Sequence, residues 1–239
     1  MSTVLGQKNS WEGWSKVEAE KILNQSPWGQ TQTETDTSEM TYSPTTAGGT
    51  GSIGRSDASR ARIGDQQSRS TNRVDRGATN QAISVDYRIR LLSAKPIRQA
   101  FMRVISLAQK NEDPELIAGL DAFVKRDFSD FIVVAVTVDA TDQRFSGPVM
   151  QELAAVRTGT LKNRSYLERK DGQRIFLREY QPPISDGLGA KFIFARRLNE
   201  REFLNAESGT FRFYCELSQL KLNVTFKLAD MMYEGKLEY

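Results

Sequence analysis

Residues 131 to 138 read "FIVVAVTV", and no other stretch restricts the fold as much. Successive side chains of an extended strand point to opposite faces. A run that is apolar on both faces needs cover on both, so it reads as the central strand of a sheet with a layer on each side.

The second half of the chain supplies strands of a different kind. "TFRFYCEL" puts Phe211, Phe213, Cys215 and Leu217 on one face. "LKLNVTFKL" sets Leu220, Leu222, Val224, Phe226 and Leu228 against Lys221, Asn223, Thr225 and Lys227. Such alternation fits antiparallel strands with one solvated side. "KFIFA" at 191 to 195 adds another strand, and Asp171-Gly172 between "LKNRSYLERK" and "QRIFLREY" reads as a two-residue hairpin turn.

Before the central run, "NQAISVDYRIRLLSA" alternates Ile83, Val85, Tyr87, Ile89 and Leu91 with Asp86, Arg88 and Arg90. Pro96 opens a helix carrying Ile97, Phe101, Val104 and Ala108, and Asp113-Pro114 opens another carrying Leu116, Ile117, Leu120 and Val124. The expected fold is α+β and mainly β: an antiparallel β-sandwich or curved sheet with two or three helices packed on it.

That β-rich domain is expected over residues 79 to 239. Residues 44 to 78 hold many glycines, serines and arginines and no aromatic residue, so they read as a disordered linker. Residues 1 to 43 read as an N-terminal arm. In it, Ser15 and Glu18 have capping-box spacing ahead of Val17, Ala19, Ile22 and Leu23, and Pro27-Trp28-Gly29 stops the helix. After it, Thr31, Thr33, Thr35 and Thr37 alternate with Gln32, Glu34, Asp36 and Ser38. Both faces are polar while threonine favours extended backbone, so the run is expected to join the edge of the sheet built after residue 79.

Composition removes many functions. The chain of 239 residues has no histidine and a single cysteine, Cys215, which excludes disulfide frameworks, Cys-His and Ser-His-Asp nucleophile pairs and the usual zinc sites. Cys215 shares its strand face with Phe213 and Leu217, so a core position is expected. The net charge of +3 equals the excess of six arginines (Arg55, Arg60, Arg62, Arg69, Arg73, Arg76) over three aspartates (Asp57, Asp65, Asp75) between residues 43 and 79. The remainder is balanced, which argues against a broad nucleic-acid footprint. No run is apolar and long enough for a transmembrane helix, and "MSTVLGQKNSW" lacks the features of a signal peptide. The glycines of "GGTGSIGRSD" lack the Gly-Lys-Ser/Thr of a phosphate loop, the sequons at Asn24, Asn163 and Asn223 are chance-level, and no cofactor is implied.

Three sets of residues remain as candidate sites. Asp139 and Asp142 follow the central strand, where carboxylates serve either a hard cation or a polar turn. Arg169, Arg174 and Arg178 share a face if the Asp171-Gly172 turn has two residues, a patch suited to an anionic ligand or to acidic side chains of the same chain. Trp11, Trp14 and Trp28 are all the tryptophans of the protein and serve as docking anchors, on the chain's own β domain or on a partner.

"WSKVEAEKILNQSPWGQ", "ISDGLGAKFIF", "FLNAESG" and the ending "LADMMYEGKLEY" together resemble a family of uncharacterised bacterial proteins whose members usually begin with a secretory signal. The resemblance implies a periplasmic or secreted location if a signal peptide lies upstream of Met1, and a cytoplasmic one otherwise. It implies no catalytic residues. The resulting expectation is a non-enzymatic, exported or envelope-associated β-rich binding or structural domain, with an unknown protein or anionic ligand as partner. The alternative is a ligand-binding or metal-assisted enzyme built on the arginine or aspartate set.

Overall fold

The computed structural model describes residues 10–36, 83–109, 114–140, 143–218 and 220–239. Residues 44 to 78, expected to be a linker, lie outside them, as does Asp142. The fold is α+β and mainly β, with two principal antiparallel sheets.

The first sheet has five strands in the order β1-β2-β3-β7-β6: β1 (Gly29–Asp36), β2 (Ile83–Leu91), β3 (Phe131–Ala140), β6 (Glu179–Gln181) and β7 (Ala190–Ala195). The second has four in the order β11-β10-β4-β5: β4 (Ser165–Arg169), β5 (Arg174–Phe176), β10 (Thr210–Glu216) and β11 (Lys221–Lys227). Two short hairpins, β8 (Arg197–Leu198) with β9 (Arg201–Glu202) and β12 (Met232–Tyr233) with β13 (Lys236–Leu237), complete the strands. The sheets meet through edge-on aromatic contacts, with Phe192 of β7 5.3 Å and Phe194 6.2 Å from Phe213 of β10.

The central apolar run is β3, and Ile132 to Val136 are all buried. Val134 pairs with Leu91 and Phe192, so these three look toward the second sheet. Ala135 pairs with Arg90 and Lys191 on the opposite face, which lies under helices. Those helices are α1 (Lys16–Asn24), which packs on β2, and α2 (Lys95–Ala108), which packs on α1 and on α3 (Pro114–Lys125). Both layers demanded by "FIVVAVTV" are therefore present. The helices α4 (Gln143–Ala155) and α5 (Thr158–Leu161) go beyond those read from the sequence.

The opening elements are part of the same core. Ala19, Ile22, Leu23 and Trp28 belong to one hydrophobic cluster with Ile89, Phe192 and Phe213. The capping box forms: Glu18 N–H donates to Ser15 Oγ (3.3 Å), and Ser15 N–H donates to Glu18 Oε2 (2.8 Å). Gly29 sits where the chain folds back on α1, and a Cβ there would meet the Leu23 carbonyl oxygen at 2.2 Å, so only glycine fits.

β1 is the edge strand of its sheet, paired antiparallel to β2 from Gly29↔Arg90 to Asp36↔Ile83. Its glutamines do more than alternate. Gln30 Nε2 donates to the Thr225 carbonyl (3.0 Å), Gln32 Nε2 donates to the Lys221 carbonyl (2.8 Å), and Asn223 N–H donates to Gln32 Oε1 (2.9 Å). These three bonds occupy backbone groups of β11, the edge strand of the other sheet. Side-chain amides thus stand in for a neighbouring strand and join the two sheet edges, which leaves less open edge for another chain. At the opposite side of the sandwich the chain itself passes from β5 to β6.

Candidate functional site

The two-residue turn expected at Asp171-Gly172 is a three-residue loop instead. Glu168 pairs with Arg174 and Leu167 with Ile175, Arg169 N–H donates to the Gln173 carbonyl, and Gly172, at φ +84°, donates back to the Arg169 carbonyl. Asp-Gly suits both loop lengths, since glycine supplies the positive φ of a bulge as readily as that of a two-residue turn. The slip of one position places Arg174 opposite Glu168, not opposite Arg169.

The three arginines consequently go to separate partners. Arg174 Nε donates to Glu168 Oε1 (2.7 Å) and stacks on Tyr166. Arg212 engages the other Glu168 oxygen. The hydrogen bond from Arg174, then that from Arg212, holds the Glu168 carboxyl below its usual range against the opposing effect of desolvation. Arg169 pairs with Asp171 (2.7 Å) and donates to the Phe203 carbonyl. Its Nε is buried without a partner, a distinction it holds alone among the described side-chain atoms. Arg178 lies over the Phe131 ring at 5.0 Å, on the first sheet.

The tryptophans pack internally. Trp28 is 3% exposed, meets Tyr233 edge-on at 6.1 Å and donates Nε1–H to the Glu238 carbonyl (2.7 Å). Trp14 packs on the main core, and Trp11 packs on a small cluster of Met102, Leu120 and Val124 between α2 and α3. Cys215 is a buried core residue as expected, and burial pushes its thiol up to about 12, which removes it as a nucleophile near neutral pH.

Asp139 does not stand alone at the end of β3. Arg88 Nη2 donates to its Oδ2 at 2.7 Å, and both line a groove of about 540 Å³ between the helices and the first sheet. α1 contributes Glu20, Leu23 and Asn24; β2 contributes Arg88 and Arg90; α2 contributes Phe101 and Val104. Arg88 is partly open at 35% side-chain exposure, whereas Arg90 is only 7% exposed. Arg90 Nε donates to the Leu23 carbonyl (3.1 Å) and Nη2 to Asn24 Oδ1 (2.8 Å), so it also caps the C-terminal end of α1.

No carboxylate among the described residues pairs with Arg90. Burial, with the adjacent Arg88 charge adding to it, pulls Arg90 down to about 10. Glu20, the other acid of the groove, pairs with Lys16 at 3.8 Å. A second groove, of about 500 Å³, contains Arg98, Arg126, Arg196 and Arg197 together with Asp127, Glu202 and Glu238. There Glu202 takes Arg196 (3.4 Å) and Arg197 (3.2 Å), and Arg98 donates to the carbonyls of Val124, Leu92 and Ser93.

Arg90 and Asn24 were not singled out by sequence reasoning. Arg90 reads as part of the polar face of an alternating strand, and nothing local says that α1 will lie across it. A signal was nonetheless present: if the neighbouring strand is apolar on both faces, the polar face of β2 must also approach a covering layer.

Among the described residues no group of three or more His, Cys, Asp or Glu is placed to hold a metal ion, and no helix is long and apolar enough to cross a membrane. No protein-family model and no curated protein matches the chain. One solved structure, a protein of unknown function from Burkholderia pseudomallei, resembles it with a TM-score of 0.37 and 10% identity over 58% of this chain and 73% of that one.

Proposed function

We propose that the protein is a non-enzymatic, β-rich binding domain that takes an anionic ligand in the groove between α1, α2 and the first sheet. The observation that carries this reading is Arg90, a nearly buried guanidinium with no acidic partner among the described residues, set in a groove with half-open apolar walls. Burying a charge without a counter-ion is costly, and a bound anion offsets that cost. The groups with catalytic potential serve internal contacts: Cys215 as a buried thiol, Asp139 in the groove as the partner of Arg88, and Glu168 between two arginines. A concave site with a few polar groups among apolar ones is the usual form of a ligand pocket.

An anion panel read by thermal shift tests the binding reading, with stabilisation by at least one organic or inorganic anion and none by matched neutral solutes as the expected result. Reproducible turnover in a broad hydrolase-substrate screen, abolished by a point mutation, would sink the non-enzymatic part. We further propose an exported or envelope-associated setting, supported by the likeness of "WSKVEAEKILNQSPWGQ" and "DMMYEGKLEY" to bacterial proteins that usually carry a secretory signal. Fractionation of cells expressing the complete gene checks it, and retention of all the protein in the cytoplasm counts against it.

A further inference from the structure

The composition of the groove narrows the ligand class. Its ionisable lining consists of two cations, Arg88 and Arg90, and two carboxylates, Glu20 and Asp139. Arg88 holds Asp139 and Glu20 lies 3.8 Å from the exposed Lys16, so among the described residues Arg90 is the cation of the lining without an ion pair. Glu20 and Asp139 repel each further negative charge of a ligand, so a single negative charge is the best match to Arg90.

The donors left on Arg90 suit a carboxylate. Nε and Nη2 have partners in Leu23 and Asn24, while Nη1 has none among the described residues. Arg90 lines the groove. With Nε and Nη2 engaged, a carboxylate oxygen takes a single charge-assisted hydrogen bond from Nη1. Beside it, Leu23, Phe101 and Val104 supply apolar wall, and Phe101 and Val104 are only half-buried. Gly187, at φ +72°, leaves the edge of the Phe101 ring without a side chain above it. Covering that wall is favourable for a ligand with an aliphatic arm.

We propose that the groove binds a small aliphatic monocarboxylate, its carboxylate on Arg90 and its chain against Phe101 and Val104. This inference rests on the anion-binding reading above. The Asp139 carboxylate opposes such a ligand twice, by its own charge and by occupying Arg88.

Titrating the full chain with hexanoate and with hexanamide, followed by calorimetry and by the side-chain NMR signals of Arg90 and Asn24, tests it. Hexanoate is expected to bind at least about tenfold more tightly than the neutral amide, the equivalent of one 1.4 kcal/mol step. Arg90→Met should abolish that preference. Because Arg90 also caps α1, Asp139→Asn provides a gain instead of a loss: it frees Arg88, removes no buried contact, and should tighten hexanoate about threefold or more. Equal binding of hexanoate and hexanamide, or weaker hexanoate binding by Asp139→Asn, would overturn the carboxylate assignment. If inorganic phosphate binds at Arg90 and hexanoate does not, the carboxylate assignment falls and the anion-binding reading stands. If no anion perturbs Arg90, both fall.

Discussion

The two grooves are built from the same kinds of residues and treat them in opposite ways. Each has arginines beside carboxylates and aromatic or aliphatic walls, at similar volumes of about 540 and 500 Å³. In the groove at Phe128, Arg98 and Arg126 lie over the ring, Arg196 lies 3.9 Å from the centroid of Tyr239, and Glu202 bridges Arg196 and Arg197. Burial pulls Arg98 down as it does Arg90, with Glu238 and Asp127 acting against that and Arg196 adding to it. In the groove under α1 the charge that acts on Arg90 is another cation. The count of arginines therefore does not identify a binding site. What separates the grooves is the charge near the buried arginine: Glu238 and Asp127 act in favour of Arg98, whereas among the described residues no acid acts on Arg90.

The largest expected effect strikes both grooves at once. Trp28 joins them, because its neighbour Gly29 seats against Leu23 of α1 while its indole N–H holds the Glu238 carbonyl beside the other groove. Trp28→Ala should cost about 3–5 kcal/mol in denaturant unfolding, the range for removing a buried aromatic. A cost below about 1 kcal/mol would mean that the grooves are supported independently. Next comes Arg98→Ala, expected to cost about 3 kcal/mol, since it leaves carbonyls of Val124, Leu92 and Ser93 without a donor in a buried setting. That value belongs to a structural arginine.

Much of this arrangement was legible in the sequence. The two-sided cover of residues 131 to 138, the capping box at Ser15 and the alternation of residues 211 to 228 follow from local period and spacing, and the structure has each of them. The threonine run was readable as an edge strand, yet the role of Gln30 and Gln32 was not, because their partners on β11 lie 189 to 195 residues away. Helix α4 runs unbroken through Gly147-Pro148, a pair that reads as a break in the sequence, and only Phe145, Val149 and Leu153 mark its apolar side. The arginine patch at 169, 174 and 178 depended on hairpin register, which an Asp-Gly pair leaves undecided between two loop lengths. Arg90 was hidden for a related reason: its cover comes from Leu23 and Asn24, 67 and 66 residues earlier. Periodicity specifies which face a residue shares. It does not specify what crosses that face.

A smaller effect sharpens the contrast between the arginines. Arg90→Met removes two hydrogen bonds to the end of α1 but also removes a desolvated charge beside Arg88, and these oppose each other. The expected change in unfolding free energy is within about 1 kcal/mol of zero, against about 3 for Arg98→Ala. A loss from Arg90→Met as large as that from Arg98→Ala would show that the capping role dominates, and the distinction between the grooves would collapse.

The smallest effect is a difference in sign at alkaline pH. Burial raises Tyr239 in the second groove from an ordinary value of 10.0 to about 12, so the stability it contributes is fully present below pH 10 and is lost as the pH rises through about 12. Tyr87 and Tyr233 are raised in the same way, again chiefly by burial, so the protein as a whole should lose stability across that window. Arg90 runs the other way. Its folded value of about 10 lies below the usual arginine range, so above pH 10 the unfolded chain binds the extra proton and the Arg90 contribution to stability rises with pH. Denaturant unfolding measured between pH 9.5 and pH 12 should therefore show a shallower decline for Tyr239→Phe and a steeper one for Arg90→Met, each by at most about one proton's worth of slope. Parallel curves for Arg90→Met and the parent chain would mean that Arg90 keeps its proton throughout, as it would if an acidic group compensated it.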